Sequence, residues 1–139
     1  MSVLIIGYRR KNEIKLVIQS VSRFKPKKLY IAMDGPKDEE SISLCQSARE
    51  SALKAVNWNC DVRTKFNTKN VGTEFVTIAI DWFFLNEKEG LILEDDVLIH
   101  PDFPEFSKKF IHKKNICCIS ACTFENELKT NIQKNIYVF

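Results

Sequence analysis

The chain has 139 residues, 45% of them apolar and 28% charged, with only 4 glycines and 4 prolines, a composition that suits one ordinary globular domain. Its 21 basic and 18 acidic residues leave a formal charge of +3, too mild to point to nucleic acid. No apolar run reaches the roughly 18 residues that a membrane span needs, and the opening MSVLIIGYRRKNE turns to charge too soon for a signal peptide, so a cytoplasmic location is expected.

Val3 to Gly7 reads VLIIG, a continuous branched run that suits a strand buried on both faces. Asn12 is placed to cap a helix carrying Ile14, Val17, Ile18, Val21 and Phe24 at helical spacing, which Lys25-Pro26 stops. Leu29 to Met33 reads as a second buried strand, ended by the turn signal Asp34-Gly35-Pro36. From Asp38 to about Val56, acids cluster at the start and Ile42, Cys45, Ala48, Ala52 and Val56 mark an amphipathic helix. Cys60, Val62, Thr64 and Phe66 alternate with polar residues, as in a third strand exposed on one face.

Residues 67–72 (NTKNVG) form a loop in which Gly72 suits a helix-entry turn with positive φ. Thr73 to Asn86 is a very apolar helix, whose Asp81 and Trp82 read as packing residues. Leu91 to Leu93 is a fourth strand that runs into Glu94, Asp95 and Asp96, with apolar residues Val97 to Ile99 beyond them. A helix marked by Phe103, Phe106 and Phe110 and a fifth strand from Ile116 to Ser120 complete the order. Cys45, Cys60, Cys117, Cys118 and Cys122 are odd in number and form no CxxC pair, which reads as reduced core thiols, and His100 and His112 read as solvated.

Alternating strands and helices without repeats or low-complexity segments predict an α/β fold over residues 1–139, three layers with a mostly parallel sheet in the middle. In such sheets ligands bind beyond the carboxyl ends of the strands, near the point where strand order reverses. That edge would carry Tyr8, Arg9 and Arg10 after the first strand, Asp34 after the second, and Glu94, Asp95 and Asp96 after the fourth. Carboxylates at a strand end are hard oxygen ligands for Mg²⁺ or Mn²⁺, which take one or two of them and complete their shell with phosphate and water. Alternation puts Glu94 and Asp96 on one side and Asp95 on the other, while arginine suits bidentate contact with phosphate. The same residues also fit a solvated acidic turn and a basic surface turn. A P-loop is excluded because GYRRKNE stands where GxxxxGK[ST] would, and a receiver domain because its acid pair would follow the first strand, where this chain is basic.

LIIGYRRKNE, KPKKLYIAMDGPK, NVG followed by AIDWFF, and EGLILEDDVLIHPDFPEF together resemble nucleotide-sugar glycosyltransferases of the GT-A fold. The likeness is nearest to bacterial family-2-like enzymes often labelled hemolytic-protein-like sugar transferases, and more distant to the N-acetylglucosaminyltransferase I type. It covers nearly all the chain, in order. It implies metal-dependent transfer of a sugar from a nucleoside diphosphate donor, with a UDP-sugar expected, to a hydroxyl of a glycan or lipid-linked acceptor, as in surface polysaccharide or glycan synthesis. The acidic triplet matches the family's DXD-type motif. Asp96 is thereby implied as ligand of Mn²⁺ or Mg²⁺, Asp95 faces ribose or metal, and Glu94 faces the donor sugar. Asp34 matches the acid that reads the base, and Arg10 the arginine near base or phosphate, with Tyr8 and Arg9 beside it and Asn70 and Gly72 retained in the following loop.

Two departures stand out. Relatives tend to read NLGCGKAV where this chain reads NVGTEFV, so Glu74 and Phe75 replace smaller or basic residues, and an inward Glu74 would repel a diphosphate. The family's fold continues well past the fifth strand, with the acceptor site and, in inverting members, a catalytic base, whereas this chain stops at NIYVF. The expectation is an apparently truncated donor-binding part that transfers little sugar by itself and self-associates through apolar surface near Ile116 to Ile119 and Ile136 to Phe139. Two alternatives remain open: a non-catalytic nucleotide-sugar-binding module, and a ligand-free α/β interaction domain whose acids are surface charge.

Overall fold

In the computed structural model, which describes residues 1–113 and 115–120, the two most apolar short runs form the centre of a sheet. β1 (Ser2–Gly7) and β2 (Lys28–Met33) pair in parallel, β3 (Asp61–Phe66) lies outside β2, and β4 (Gly90–Glu94) lies outside β1. The order is β3-β2-β1-β4, and every pair is parallel. The chain therefore steps one way from β1 to β3 and then returns across β1 to β4. Strand order reverses between β1 and β4, the position at which open α/β sheets bind ligands.

Side-chain alternation divides the core. Leu4, Ile6, Tyr30 and Ala32 pack with Phe75, Ala79 and Phe83 of α3 (Glu74–Phe84). Val3, Ile5, Leu29 and Ile31 are equally buried and point to the opposite face. On that side the Ile14 side chain of α1 (Lys11–Val21) comes within 3.3 Å of the place a Cβ on Gly7 would take, and α1 packs on α2 (Glu39–Ala55). Each such aliphatic side chain contributes about 1.5–3 kcal/mol by leaving water. Burial on both faces explains why β1 and β2 read as unbroken apolar runs.

Several local expectations shift. Helix α1 begins at Lys11 with Arg10 at the N-cap and no side-chain cap bond, so Asn12 does not cap it; the Arg10 guanidinium is committed to two carboxylates instead. The helix stops at Val21, short of Phe24, and Lys25 takes φ 45° ahead of Pro26. At α2 the Asp38 carboxylate accepts the Ser41 N–H at 2.9 Å while the Ser41 hydroxyl accepts the Asp38 N–H at 3.1 Å. This capping box turns Ser41 inward, leaving Ile42 exposed while Cys45, Ala48 and Ala52 are buried.

The fifth strand does not form. Residues 116–119 have no regular structure and Ser120 makes only an isolated bridge. Asn115 takes φ 72° just before them, and among the described residues β4 pairs only with β1. Among the described residues this short apolar run has no neighbour in register, and strand propensity alone gives its backbone groups no ladder. Cys117 and Cys118 are exposed rather than core thiols, whereas Cys45 is buried and Cys60 half-buried; burial raises both of the latter thiols above their ordinary value. Cys122 and residues 136–139 lie outside the described residues.

Met1–Pro101 forms one compact unit and Asp102–Phe139 another. Within the second, α4 (Phe103–Ile111) carries proline in its first turn, and Phe103, Phe106 and Phe110 stack with successive ring centroids 6.3 and 5.0 Å apart. Among the described residues no helix is long and apolar enough to cross a membrane.

The amino end of the sheet is tied by one acid. Glu87, just after α3, accepts hydrogen bonds from the Ser2 hydroxyl at 2.8 Å, Lys28 Nζ at 2.7 Å and the Tyr30 hydroxyl at 2.7 Å. Arg63 of β3 donates to the same Tyr30 oxygen at 3.1 Å. Burial pushes the Glu87 carboxyl up, but the hydrogen bonds from Lys28, Tyr30 and Ser2 outweigh it and hold the group at about 2, below its ordinary 4.5. Burial and the neighbouring Glu87 push the Tyr30 phenol up to about 12.

A carboxyl held lower in the folded than in the unfolded chain stabilises the fold above its unfolded pKa and loses that effect as pH falls through the folded one. For Glu87 the window runs from 4.5 down to about 2. Glu87→Gln is expected to cost roughly 1–3 kcal/mol in urea unfolding near neutral pH, because Lys28 and Tyr30 keep only a neutral amide oxygen in place of a charged acceptor. The gap to the native protein should narrow on acidification through that window. A gap that holds constant down to the acid end would show that the Glu87 charge is not what ties the strands.

Candidate functional site

β4 delivers three acids to the carboxyl end of the sheet, and burial separates them as alternation requires. Glu94 and Asp96 are exposed, while Asp95 is only 6% exposed. Their apolar flanks are uneven: Leu93 and Ile99 are buried, Leu91 and Ile92 half-buried, Val97 and Leu98 exposed. The acids thus sit on the rim of the sheet rather than between two apolar layers.

Asp95 turns over the end of β1. Its Oδ2 accepts the Tyr8 N–H at 3.1 Å and its Oδ1 accepts from Arg10 Nη1 at 3.2 Å. The same Nη1 donates to Asp96 Oδ2, so one guanidinium bridges two carboxylates. Gly7 makes room for this: a Cβ there would lie 3.1 Å from both the Cβ and the Oδ2 of Asp95. Sequence reading missed that role, and its one signal was a glycine ending an otherwise branched strand. Burial raises the Asp95 carboxyl above its ordinary value, with the Tyr8 N–H and Arg10 pulling the other way. The hydrogen bond to Asp96 and the charges of both acids raise Arg10 further, so it stays cationic. The Arg10 and Asp96 side chains are 52% and 47% exposed, which makes their pairing screened and weak. Asp95 is the sheltered partner.

At the end of β2, Asp34 is 4% exposed and organises the loop before α3. Its Oδ1 accepts from the Gly35 N–H at 2.8 Å, Asn67 Nδ2 at 3.2 Å and the Val71 N–H at 3.2 Å. Its Oδ2 accepts from Asn70 Nδ2 at 2.8 Å and the Val71 and Gly72 N–H groups at 3.1 Å. Gly72 has φ 66°, the positive value expected of it. Arg49 of α2 closes the assembly from outside, donating to the Asp34 carbonyl at 3.0 Å and the Asn67 carbonyl at 2.6 Å with its guanidinium over the Phe66 ring. Nothing in the helical spacing of α2 marks Arg49 for this.

These pieces border a cleft of about 520 Å³, lined by Tyr8, Arg9, Arg10, Asp34, Asn70, Gly72, Glu94, Asp95 and Asp96 together with Ile6, Gly7, Thr73, Phe75 and Val76. Every site residue read from the sequence is brought to this one place. The Arg9 guanidinium stacks 5.4 Å from the Tyr8 ring centroid, and the Tyr8 hydroxyl accepts the Lys37 N–H at 3.2 Å. Glu74 is exposed and stands outside the lining, and Phe75 is buried in the core. Trp82 packs edge-on against Tyr30 with centroids 5.2 Å apart, and Asp81, His100 and His112 are exposed. A second hollow of about 300 Å³, lined by α1 and α2 residues such as Lys15 and Lys54, holds none of the expected residues.

Two arginines against four carboxylates leave the cleft lining a formal charge of −2. A bare diphosphate meets net repulsion there, whereas a diphosphate carrying a divalent cation does not. Asp95 Oδ1 and Asp96 Oδ2 already converge on one cationic atom, Arg10 Nη1. That donor set fits Mg²⁺ or Mn²⁺, which need one or two protein carboxylates. Among the described residues no three His, Cys, Asp or Glu side chains are grouped to hold a metal, so phosphate and water would have to complete the shell.

Comparison with family models, with curated proteins and with solved structures finds no match to this chain.

The seat of Asp95 gives a direct test. Gly7→Ala forces Asp95 and Ile14 to give way by a few tenths of an ångström, and overpacking of this kind costs about 1–3 kcal/mol. In thermal unfolding that cost should shrink when Asp95 is also alanine, since the two changes meet at the same contact. Additive effects would place the strain of Gly7→Ala elsewhere.

Proposed function

We propose that the cleft is the donor site of a GT-A-like sugar transferase and takes a nucleoside diphosphate sugar, a UDP-sugar in the first instance, with Mn²⁺ or Mg²⁺. The observation that carries this reading is the convergence of residues from β1, β2 and β4 on one acidic cleft at the point where strand order reverses. The resemblance of the four sequence motifs supplies the chemistry.

In this reading Asp96, exposed and weakly paired, and Asp95, fixed by the Tyr8 N–H, are the carboxylates that would hold the ion. When bound, the divalent ion neutralises the leaving diphosphate. Arg10 then pairs with phosphate oxygens, for which its planar fork is suited, and Arg9 adds a second guanidinium on the same wall. Glu94, exposed at the end of β4, faces the sugar. The acceptor is a hydroxyl of a glycan or lipid-linked intermediate in a cytoplasmic setting. No described residue is assigned as the base that activates it.

Calorimetric titration with UDP tests the reading. Binding is expected with Mn²⁺ present and should be lost on adding EDTA. Equal affinity in both conditions would remove the metal, and no binding in either would remove the nucleotide. Asp96→Asn should weaken the metal-dependent binding by about tenfold or more. Its melting temperature should hold or rise, because one of three crowded carboxylates loses its charge. A large fall in melting temperature with unchanged binding would make Asp96 structural.

A further inference from the structure

We infer that Asp34 is a positioning residue of the cleft: its carboxylate holds residues 67–72 as a wall, and the wall, not Asp34, meets the ligand. The resemblance assigns the acid after the second strand to direct contact with the base, and the geometry departs from that. A carboxylate offers about four lone-pair directions. Asp34 spends them on the Gly35, Val71 and Gly72 N–H groups and on the Asn67 and Asn70 amides, all between 2.8 and 3.2 Å. At 4% exposure a donor on a ligand would have to displace one of these.

The rest of the assembly serves the same end. The Asn67 N–H donates to the Met33 carbonyl at 3.0 Å and the Asn70 N–H to that of Pro36 at 3.3 Å. Arg49 spans the Asp34 and Asn67 carbonyls. Gly35 lets the loop backbone come close, since a Cβ there would lie 2.4 Å from the Lys69 nitrogen. The loop thus held ends at Gly72, whose carbonyl accepts the Phe75 N–H at 3.0 Å and opens α3. The loop presents Asn70 and Gly72 to the cleft, beside Thr73 and Val76 at the start of α3, and selectivity for the bound group falls to these residues.

The test uses variants that move the loop without removing the carboxylate or touching the cleft lining. Gly35→Ala collides with the Lys69 backbone, and Asn67→Ala deletes one donor to Asp34; both are compared with Asp34→Asn. Amide hydrogen exchange at Val71 and Gly72 reads the wall, and calorimetry with UDP and Mn²⁺ reads the cleft. A positioning Asp34 requires all three variants to speed exchange at both amides by about tenfold or more and to weaken UDP binding by comparable factors. The Asp34→Asn, Asn67→Ala double variant should bind no worse than the weaker single. Weaker binding in Asp34→Asn with exchange unchanged, or full binding in Gly35→Ala and Asn67→Ala with exchange accelerated, would overturn the inference in favour of direct contact. Only the calorimetric arm rests on the donor-site reading. If the native protein binds no UDP, that reading falls, and exchange at Val71 and Gly72 still decides the latch, which is refuted if the variants leave it unchanged.

Discussion

Burying β1 and β2 on both faces leaves these two central strands only their ends for charged groups. Val3 to Ile6 and Leu29 to Met33 meet apolar side chains above and below, so a charge anywhere along them would lose its hydration without a partner. Two clusters of partnered ionisable groups stand at those ends. At the amino end Glu87 draws Ser2, Lys28 and Tyr30 into one cluster, and at the carboxyl end Asp34, Asp95 and Arg10 do the same for the loops. The two clusters differ in one respect that matters. Glu87 has a full set of donors and a carboxyl held low, which is the state of a finished structural contact. Asp95 is held high by burial, and among the described residues it shares its one ion-pair partner, Arg10, with the exposed Asp96.

Arg10 connects the site to the fold. It stands at the N-cap of α1, a position where Ser, Thr, Asp or Asn would ordinarily satisfy the first helical N–H groups, and it provides no such bond. The helix start gives up roughly 1 kcal/mol of capping and the rim of the sheet receives a guanidinium. A local rule broken at a candidate site is the pattern expected where function competes with stability.

How much of this was legible in the sequence depended on the length scale of the cause. β1 and β2 were clear because burial on both faces writes itself into consecutive residues. The candidate site was clear because alternation of strands and helices brings every strand's carboxyl end to one edge, so Tyr8, Asp34 and Asp95 could be gathered without knowing a single contact. Gly7 and Arg49 were not legible. Each acts through an atom far away in sequence, the Asp95 carboxylate for one and the Asn67 carbonyl for the other, and no local pattern records such a meeting. Ile42 was misplaced because a capping box set the phase of α2 more strongly than its apolar spacing. The run from Ile116 to Ser120 has strand-like residues, but a strand is a property of a pair, and its ladder does not exist among the described residues.

The register of the sheet has a consequence for how the molecule is assembled. β1 is the first strand in the chain and lies inside the sheet, with Ser2 opposite both Lys28 and Gly90. Its β2 side can pair after one short crossover, whereas its β4 side must wait for a segment on the far side of α2, β3 and α3. Loop-closure entropy makes such distant parallel pairing slow relative to local steps. The Tyr8–Asp95 hydrogen bond, which joins residues 87 apart in sequence, comes with that last pairing. The cleft is therefore absent from partly folded chains that already hold β1, β2 and β3 together, and a ligand bound there would select the completed sheet and add its binding free energy to the stability of the whole unit.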